Sequence, residues 1–403
     1  MNTLFTITLL ELFFGGGGRL LEVGPVTVRM ILFATCLCVA VVGAIKRLNA
    51  DEGIPLALGF VVTYLLVHVL ALLIGLFNGF VFGEMMQEMQ QSAYWLIAPF
   101  FAMSLNRYDM VVRVGKLVAV AGVVLSIAYI CVLLTFAIGA IDYLTLYVVL
   151  NSTGEFVFRS GGFFFYKGFL YLGVAAIFFL SMPKRFSSVW LTIVLIALAL
   201  TLTRGFVLAT SFAALLLLAK QGRWRTLGIM LAVIACLGVF LWGYMPSQDE
   251  ALAVSRESSN GQRVDDFVFF VDNFEIGTIL VGHGFGTLIN GRSNIENTFL
   301  WAFWRFGLVG VAFWLSPLIF CYRYFARIGK NSPDFRLACA YFFSTVFIYV
   351  QTMSNPYLNN PIGLSFVMLA MFSLRTLSRQ KPVVRVSAAS PGATMPDLLQ
   401  VIQ

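Results

Sequence analysis

Residues 189–219 read VWLTIVLIALALTLTRGFVLATSFAALLLLA, and Arg204 is the only charged side chain in this run. As one α-helix the run would be about 46 Å long, well beyond the hydrocarbon core of a bilayer at about 30 Å. The residues that flank it on both sides are basic: Lys184, Arg185, Lys220, Arg223 and Arg225. Because short cytoplasmic loops carry excess Lys and Arg, both ends of the run are predicted to be cytoplasmic. The run therefore predicts a helical hairpin within the membrane, with its tip at Thr201–Gly205.

Arg204 lies at this predicted tip. Each arm has only about 15 residues, or about 22 Å of helix, so the tip is expected below the outer membrane surface. A cation at that depth usually faces a protein interior or a wet cavity. The competing interpretation is an arginine that merely extends its side chain to the interface. An arginine without an obvious structural purpose at the tip of a short hairpin favours a functional role.

The rest of the chain has the same apolar character. Of its 403 residues, 60% are hydrophobic and 11% are charged, whereas soluble domains carry about 25% charged residues. No cleavable signal peptide is predicted, because the first segment lacks a basic start and a small-residue cleavage site. The composition predicts an all-α, polytopic integral membrane protein with about 12 transmembrane helices and both termini in the cytoplasm. The predicted spans are roughly 3–14, 26–45, 54–77, 92–105, 114–140, 168–181, 189–203, 205–219, 226–243, 304–321, 335–352 and 361–374.

The net charge of +8 reflects topology and not a nucleic-acid partner. Eighteen of the 27 basic residues cluster in short loops at every second gap between apolar segments. This alternation is the pattern that the positive-inside rule predicts for cytoplasmic loops. Cysteine and histidine add little, because six cysteines without paired spacing and two histidines do not form a metal-site pattern.

One large polar insertion interrupts the predicted spans at residues 244–303, on the outer side. It contains eight of the chain's 19 acidic residues. Apolar residues recur at near-helical spacing from about Gly261 to Phe274, which predicts an amphipathic helix on the membrane or against the bundle, with Arg263 on its polar side. Residues 1–374, including this insertion, are predicted to form one transmembrane domain. Residues 375–403 are predicted to be a disordered cytoplasmic tail.

A second helix is predicted to start near Asn294 and to run into the next span. It carries Glu296, and it places Asn297, Trp301 and Arg305 at i, i+4 and i+8 on one face. The alternative interpretation for the aromatic residues of this outer segment is anchoring at the membrane interface.

The segment Gly282-His283-Gly284-Phe285-Gly286 is rich in glycine, but it does not predict a nucleotide loop. Its spacing matches neither a dinucleotide nor a P-loop fingerprint, and no βαβ unit surrounds it. The glycines are better explained by a tight turn close to another backbone. His283 is interpreted as a structural residue or as a proton acceptor.

Three motifs, in this order, resemble the O-antigen ligase and polymerase superfamily of bacterial membrane glycosyltransferases. The first is Thr203-Arg204-Gly205 at the start of an apolar span, and the second is Gly261-Gln262-Arg263 before an amphipathic helix. The third comprises Leu280–Thr287, then Glu296-Asn297-Thr298-Phe299-Leu300, then Gly307-Leu308-Val309-Gly310 in the next span. The resemblance is close over about 200–321, and it extends to the whole chain in the number of spans and the position of the outer loop.

This resemblance implies transfer of a glycan from an undecaprenyl-diphosphate carrier to a glycan acceptor at the outer face of the bacterial cytoplasmic membrane. It also implies that no metal and no cofactor takes part. A departing diphosphate needs fixed positive charge, which guanidinium groups supply. Arg204 and Arg263 match family positions and are the catalytic candidates, together with Glu296. The candidates for substrate binding are Arg159, His283, Arg292, Asn297 and Arg305.

The chain departs from the ligase pattern at Glu296, where ligases carry His. This difference favours a polymerase of O-antigen, capsule or exopolysaccharide repeat units, with Glu296 as acceptor of the hydroxyl proton. The alternative for Glu296 is a salt bridge to a nearby arginine. The alternatives for the chain are a ligase that transfers glycan to a lipid or protein, and a transporter or flippase of lipid-linked glycan. The expected partners are membrane lipids, a chain-length regulator and a flippase, with no nucleic acid.

Overall fold

The computed structural model describes residues 1–18, 22–23, 26–47, 53–158, 163–183, 186–228, 250–292 and 295–380. Its main elements are α-helices. They are α1 (Asn2–Phe14), α2 (Val28–Arg47), α3 (Gly53–Phe77), α4 (Phe82–Ser92), α5 (Ala98–Ser104), α6 (Tyr108–Ala137), α7 (Tyr143–Asn151), α8 (Leu170–Ser181), α9 (Ser187–Leu200), α10 (Arg204–Gln221), α11 (Glu250–Asp272), α12 (Thr298–Ala326), α13 (Phe335–Gln351) and α14 (Pro361–Arg379). A short 3-10 helix, Ala93–Ile97, joins α4 to α5.

The chain was predicted to be all-α, but the described residues also contain two short antiparallel β-hairpins. Strands β1 (Glu22–Val23) and β2 (Val26–Thr27) form the first, and β3 (Phe156–Phe158) and β4 (Phe164–Tyr166) form the second. The second hairpin consists of aromatic residues and one valine, which favour extended backbone over helix. These strands are too short to produce a clear alternating pattern, so they cannot be recognised from the sequence.

Within the described ranges, six helices are long and apolar enough to cross a membrane: Val28–Lys46 within α2, then α3, α6, α10, α12 and α14. Four further apolar helices are shorter. Eleven of the predicted spans coincide with helices, and the remaining one, 226–243, lies largely outside the described residues. The chain is thus a polytopic helical membrane protein, while the total of about 12 spans stays a prediction.

The centre of the bundle is formed by α8 and α14. Nearly every side chain of these helices is buried, whereas α3 and α10 present exposed apolar residues such as Leu66 and Leu208. An apolar exterior of this kind suits contact with lipid. Small residues bring the helices close together: a Cβ atom on Gly122 of α6 would overlap Ala175 of α8. Such small-residue contacts are how helices pack in membranes, where van der Waals contact replaces the hydrophobic effect.

The hairpin predicted from residues 189–219 is present. Helix α9 ends at Leu200, α10 begins at Arg204, and three residues turn the chain between them. Leu202 adopts a positive φ of 51° at the centre of this turn. The connection is therefore as tight as the sequence indicated, and it places Arg204 in the first turn of α10.

Helix α12 is broken at Gly307, whose φ of 64° and ψ of −154° are not helical. The turn around Gly282–Gly284 supplies the hydrogen bonds that the break removes. The His283 and Gly284 N–H groups donate to the carbonyls of Trp304 and Arg305, at 2.8 and 3.1 Å. Irregular backbone at membrane depth is tolerated only where its polar groups are satisfied in this way.

The predicted boundaries of three helices differ from the structure. The second outer helix, predicted to start near Asn294 and to carry Glu296, begins at Thr298 with Asn297 as its N-cap, so Glu296 precedes it. The amphipathic helix is α11, which starts at Glu250 and not near Gly261, and it ends at Asp272. The last span was predicted to end at 374, but α14 continues to Arg379. The predicted disordered tail, apart from its first residues, lies outside the described part of the chain.

Candidate functional site

Three segments meet at one end of the bundle, which we call the polar end: Thr201–Gly205, Glu296–Thr298 and Gln351–Asn360. The Thr298 N–H donates to the Thr352 carbonyl at 3.2 Å, and the two threonine hydroxyls are 3.0 Å apart. A Cβ atom on Gly205 would lie 2.7 Å from the Ser354 Oγ. The tip of the α9–α10 hairpin and the start of α12 are thus joined through the turn that follows α13.

Glu296 and Arg263 form an ion pair at the start of α12. The Arg263 Nη2 lies 2.6 Å and its Nε 2.7 Å from the same carboxylate oxygen, Glu296 Oε2. The side chain of Arg263 is 45% exposed and that of Glu296 is 40% exposed, so solvent and a ligand can reach both. Among the described residues, Oε1 of Glu296 accepts no hydrogen bond. Two of the three predicted catalytic residues are therefore in contact, although they are 33 positions apart in sequence.

Arg204 differs from the other arginines of this end. It is exposed in the first turn of α10, and no side chain in the described ranges forms a hydrogen bond or salt bridge with it. A guanidinium without a protein partner keeps all of its donors available to a ligand. Its position at a helix N-terminus adds the partial positive charge of unpaired backbone N–H groups.

Arg292 and Asn297 lie beside the Glu296–Arg263 pair. The Arg292 Nη2 contacts the carboxylate of Asp266, a residue of α11, and this second ion pair attaches the same helix to the bundle. The Asn297 side chain accepts hydrogen bonds from the Phe299 and Leu300 N–H groups at 3.0 and 3.2 Å, so Asn297 is the N-cap of α12. Both side chains therefore have structural partners close to Glu296.

Arg305 is fully buried and does not reach the surface of the polar end. Its Nη2 lies 2.8 Å from Oε1 of Glu88, and its Nη1 contacts Thr287. Its side chain is 0% exposed and that of Glu88 is 5% exposed. Removing one partner of a buried ion pair typically costs about 3–5 kcal/mol, because the other charge stays buried without compensation. Arg305 therefore attaches α4 and the glycine-rich turn to α12.

The sequence is similar to that of a known protein along nearly its whole length. No protein-family model matches the chain. A protein named O-antigen polymerase from Shigella flexneri is 27% identical over 390 residues, which cover 94% of this chain and 96% of the relative. The chain is thus similar to this O-antigen polymerase along nearly its whole length. The resemblance to the ligase and polymerase superfamily is thereby confirmed on its polymerase side, and the relative's name denotes a glycosyltransferase-type enzyme.

His283 packs within the glycine-rich turn at Gly282–Gly286. Its ring stacks on Trp304 with the centroids 4.0 Å apart, and Nε2 lies 3.3 Å from the Thr278 hydroxyl. Burial lowers the pKa of His283 below its usual value, and nearby Arg305 lowers it further, against the opposing effect of Glu275. The glycines behave as predicted: a Cβ atom on Gly284 would lie 2.6 Å from the Gly75 N atom.

A second group of charged residues lies elsewhere in the bundle and was not among the sites predicted from the sequence. Arg29 pairs with Glu11, and the buried Glu155 accepts the Gly17 N–H at 2.5 Å and lies 3.8 Å from Lys167. Glu11 was the feature of the sequence that could have revealed this group. It is a carboxylate within the first predicted span, and acidic residues are rare in membrane-spanning segments. Arg159, a predicted substrate-binding residue, lies outside the described residues.

Proposed function

We propose that this protein polymerises undecaprenyl-diphosphate-linked oligosaccharide repeat units into O-antigen, capsule or exopolysaccharide at the outer face of the bacterial cytoplasmic membrane. One observation carries the proposal: Arg204, whose guanidinium has no partner among the described residues, and the Glu296–Arg263 pair share the polar end through the turn at Thr352–Ser354. The O-antigen polymerase from Shigella flexneri, which aligns with nearly the whole chain, supports the same reaction class.

The donor side of the reaction requires positive charge. The bond between the anomeric carbon and the lipid diphosphate breaks, and the leaving group gains a negative charge. Arg204 is the residue suited to receive it, because no described residue occupies its N–H donors and a guanidinium can bind two phosphate oxygens at once. Charge stabilisation by donors that are already oriented is usually the largest single contribution to such catalysis.

The acceptor side of the reaction requires a proton acceptor. A hydroxyl of the acceptor sugar attacks the anomeric carbon, and its proton passes to Oε1 of Glu296, the oxygen without a hydrogen bond among the described residues. The proton then leaves to solvent, since the side chain is partly exposed. Arg263 orients Glu296 through Oε2 and adds positive charge close to the leaving diphosphate.

The remaining candidates have supporting roles in this proposal. Arg292, Asn297, His283 and Arg305 position α11, the start of α12 and the glycine-rich turn through the contacts described above. Arg159 stays a candidate for substrate binding. A chain-length regulator and a flippase are the proposed protein partners, and both termini are proposed to be cytoplasmic.

The test uses purified protein in lipid nanodiscs with a synthetic undecaprenyl-diphosphate-linked repeat unit as donor and acceptor. The expected result is a ladder of products that differ by one repeat unit, together with release of undecaprenyl diphosphate. A single transfer to a lipid or protein acceptor without a ladder would instead indicate a ligase. Movement of the substrate across the bilayer without covalent change would indicate a transporter. Either result contradicts the proposal.

A further inference from the structure

We propose that a second pocket, built around Arg29 between α1, α2 and the segment after α4, binds the phosphate group of a membrane lipid. It shares no residue with the polar end, and the inference does not rest on the proposed function. The pocket has a volume of about 330 Å³. Its lining includes Thr27, Arg29, Met30, Phe33, Gln90 and Tyr94.

Arg29 is buried yet only partly bonded. It is 4% exposed, in the first turn of α2. Its Nε lies 2.9 Å from both carboxylate oxygens of Glu11. Nη1 and Nη2 are buried and have no hydrogen-bond partner among the described residues. Because unsatisfied buried donors are costly, the two free nitrogens of Arg29 indicate a ligand that supplies acceptor oxygens.

The other polar groups of the pocket favour an anion. Thr27 uses its hydroxyl oxygen as an acceptor for the Met30 N–H at 3.2 Å, which leaves its O–H to donate. Tyr94 and Gln90 supply one further hydroxyl and one amide. Among the described residues that line the pocket, none carries a carboxylate. Glu11 contacts the Nε edge of the guanidinium and not the Nη atoms. A phosphate, which offers several acceptor oxygens, matches this set of donors and can bind both Nη atoms together.

The surroundings indicate a lipid as the carrier of this phosphate. Met30 and Phe33 provide apolar walls, and Met30 and the neighbouring Ile31 are 53% and 58% exposed on the outside of α2. The pocket therefore lies next to a surface suited to acyl or isoprenoid chains. A head group that enters from this side would place its phosphate at Arg29 and leave its chain in the bilayer.

The backbone around Arg29 is arranged to leave this pocket open. A Cβ atom on Gly18 would lie 2.9 Å from the Arg29 Cδ, so only glycine lets the chain pass there. The Gly18 N–H donates to the Gly15 carbonyl at 2.9 Å, and Glu155 holds the Gly17 N–H. The pocket wall is thus fixed by hydrogen bonds before any ligand arrives.

The test measures lipid retention by the purified full-length protein with native mass spectrometry. The added lipids are phosphatidylglycerol, a polyprenyl monophosphate, and diacylglycerol as the control without phosphate. Arg29→Lys keeps the charge opposite Glu11 but loses the forked donors, and it is expected to weaken phosphate-lipid binding about tenfold. A Glu11→Leu and Arg29→Met double variant removes the whole ion pair without leaving a buried charge, and it should retain neither phosphate lipid. Arg107→Ala, which removes an exposed arginine elsewhere, is the matched control and should bind as the wild type does.

The outcomes are distinct. Retention of both phosphate lipids identifies the phosphate group as the ligand. Retention of only one of the two identifies its source as bulk phospholipid or as the isoprenoid carrier. Equal retention of phosphate lipids and diacylglycerol by the wild type overturns the proposal, as does undiminished phosphate-lipid binding by both Arg29 variants.

Discussion

The arginines of this protein show that the same side chain can serve structure or chemistry according to its partners. Arg305 is buried against Glu88 and Thr287 and holds three segments together. Arg263 is half exposed and uses its donors on one oxygen of Glu296. Arg204 is exposed and has no partner in the described part of the chain. The availability of its donors to a ligand therefore makes Arg204 the strongest candidate for contact with a diphosphate.

Replacement of Arg204 is expected to abolish polymer formation. Arg204→Ala should lower transfer about 10²–10³-fold, the usual effect of losing one oriented donor at a developing charge. Arg204→Lys should also be strongly impaired, because an ammonium cannot bind two phosphate oxygens in the same way. Polymer length and protein level are measured in cells that lack the natural enzyme. Arg107→Ala serves as the control, and wild-type polymer from Arg204→Ala would show that Arg204 only extends to the interface.

Substitutions of Glu296 test whether its carboxylate accepts a proton in addition to forming the ion pair with Arg263. Glu296→Gln keeps the shape but removes the charge, and transfer should fall by about 10²-fold or more if Glu296 is the proton acceptor. Glu296→His should restore part of the activity, because imidazole can accept the same proton. The exchange of the two residues, Arg263→Glu with Glu296→Arg, keeps an ion pair but displaces the carboxylate. Full activity of this exchanged pair would assign Glu296 a purely structural role.

At the scale of elements, the break in α12 and the glycine-rich turn depend on each other. Residues after the break donate back to the turn: the Leu308 N–H to the Ile279 carbonyl at 2.8 Å and the Val309 N–H to the Leu280 carbonyl at 3.2 Å. Gly307 lies so close to Leu280 that a Cβ atom would overlap it. The short helix 298–306, which carries the N-cap beside Glu296, is oriented by this exchange of backbone hydrogen bonds. Changes in the turn should therefore alter the candidate site from a distance.

Gly284→Ala is expected to destabilise the protein by about 1–3 kcal/mol. Its φ is +81°, and the new Cβ would meet the Gly75 N atom at 2.6 Å and the Ala71 carbonyl oxygen at 2.7 Å. The midpoint of thermal unfolding in detergent measures the effect. Gly277→Ala is the matched control in the same segment, because nothing lies within 4 Å of its Cβ position. Equal midpoints for the two variants would contradict the tight packing of the turn.

At the scale of the whole molecule, the two ends of the bundle differ in the charge of their side chains. Lys220, Arg223, Lys330 and Arg336 line one pocket at the end opposite the polar end. Lys220 is in the last turn of α10 and Arg336 in the first turn of α13, while Arg223 and Lys330 lie in the connections after α10 and α12. Both connections are predicted to be cytoplasmic. The acidic residues Glu296, Asp266 and Glu155 lie towards the other end. This distribution agrees with a membrane orientation that exposes the polar end to the outside.

Reporter fusions test this orientation. Fusions at positions 186, 222 and 330 are expected to report the cytoplasm, and those at 155, 255 and 290 the outside. The physical reason is the retention of Lys- and Arg-rich loops on the cytoplasmic side during insertion. Alkaline phosphatase and green fluorescent protein fusions give opposite signals at each position. A cytoplasmic signal at 255 or 290 would place Glu296 and Arg263 on the wrong side for a lipid-diphosphate donor.

The sequence by itself determined the class of protein, the approximate position of most spans, and the hairpin with Arg204 at its tip. Apolar length and charge bias are properties of local sequence, so they can be recognised without the fold. Only the tertiary structure decided that Glu296 contacts Arg263 and that Arg305 is buried against Glu88, 217 positions away. It also decided that Arg29 faces a pocket with two nitrogens that no described residue binds. The reason is that an ion pair or a cavity joins residues that are distant in the chain. Which charged side chains meet depends on how the helices pack, and no local pattern records it.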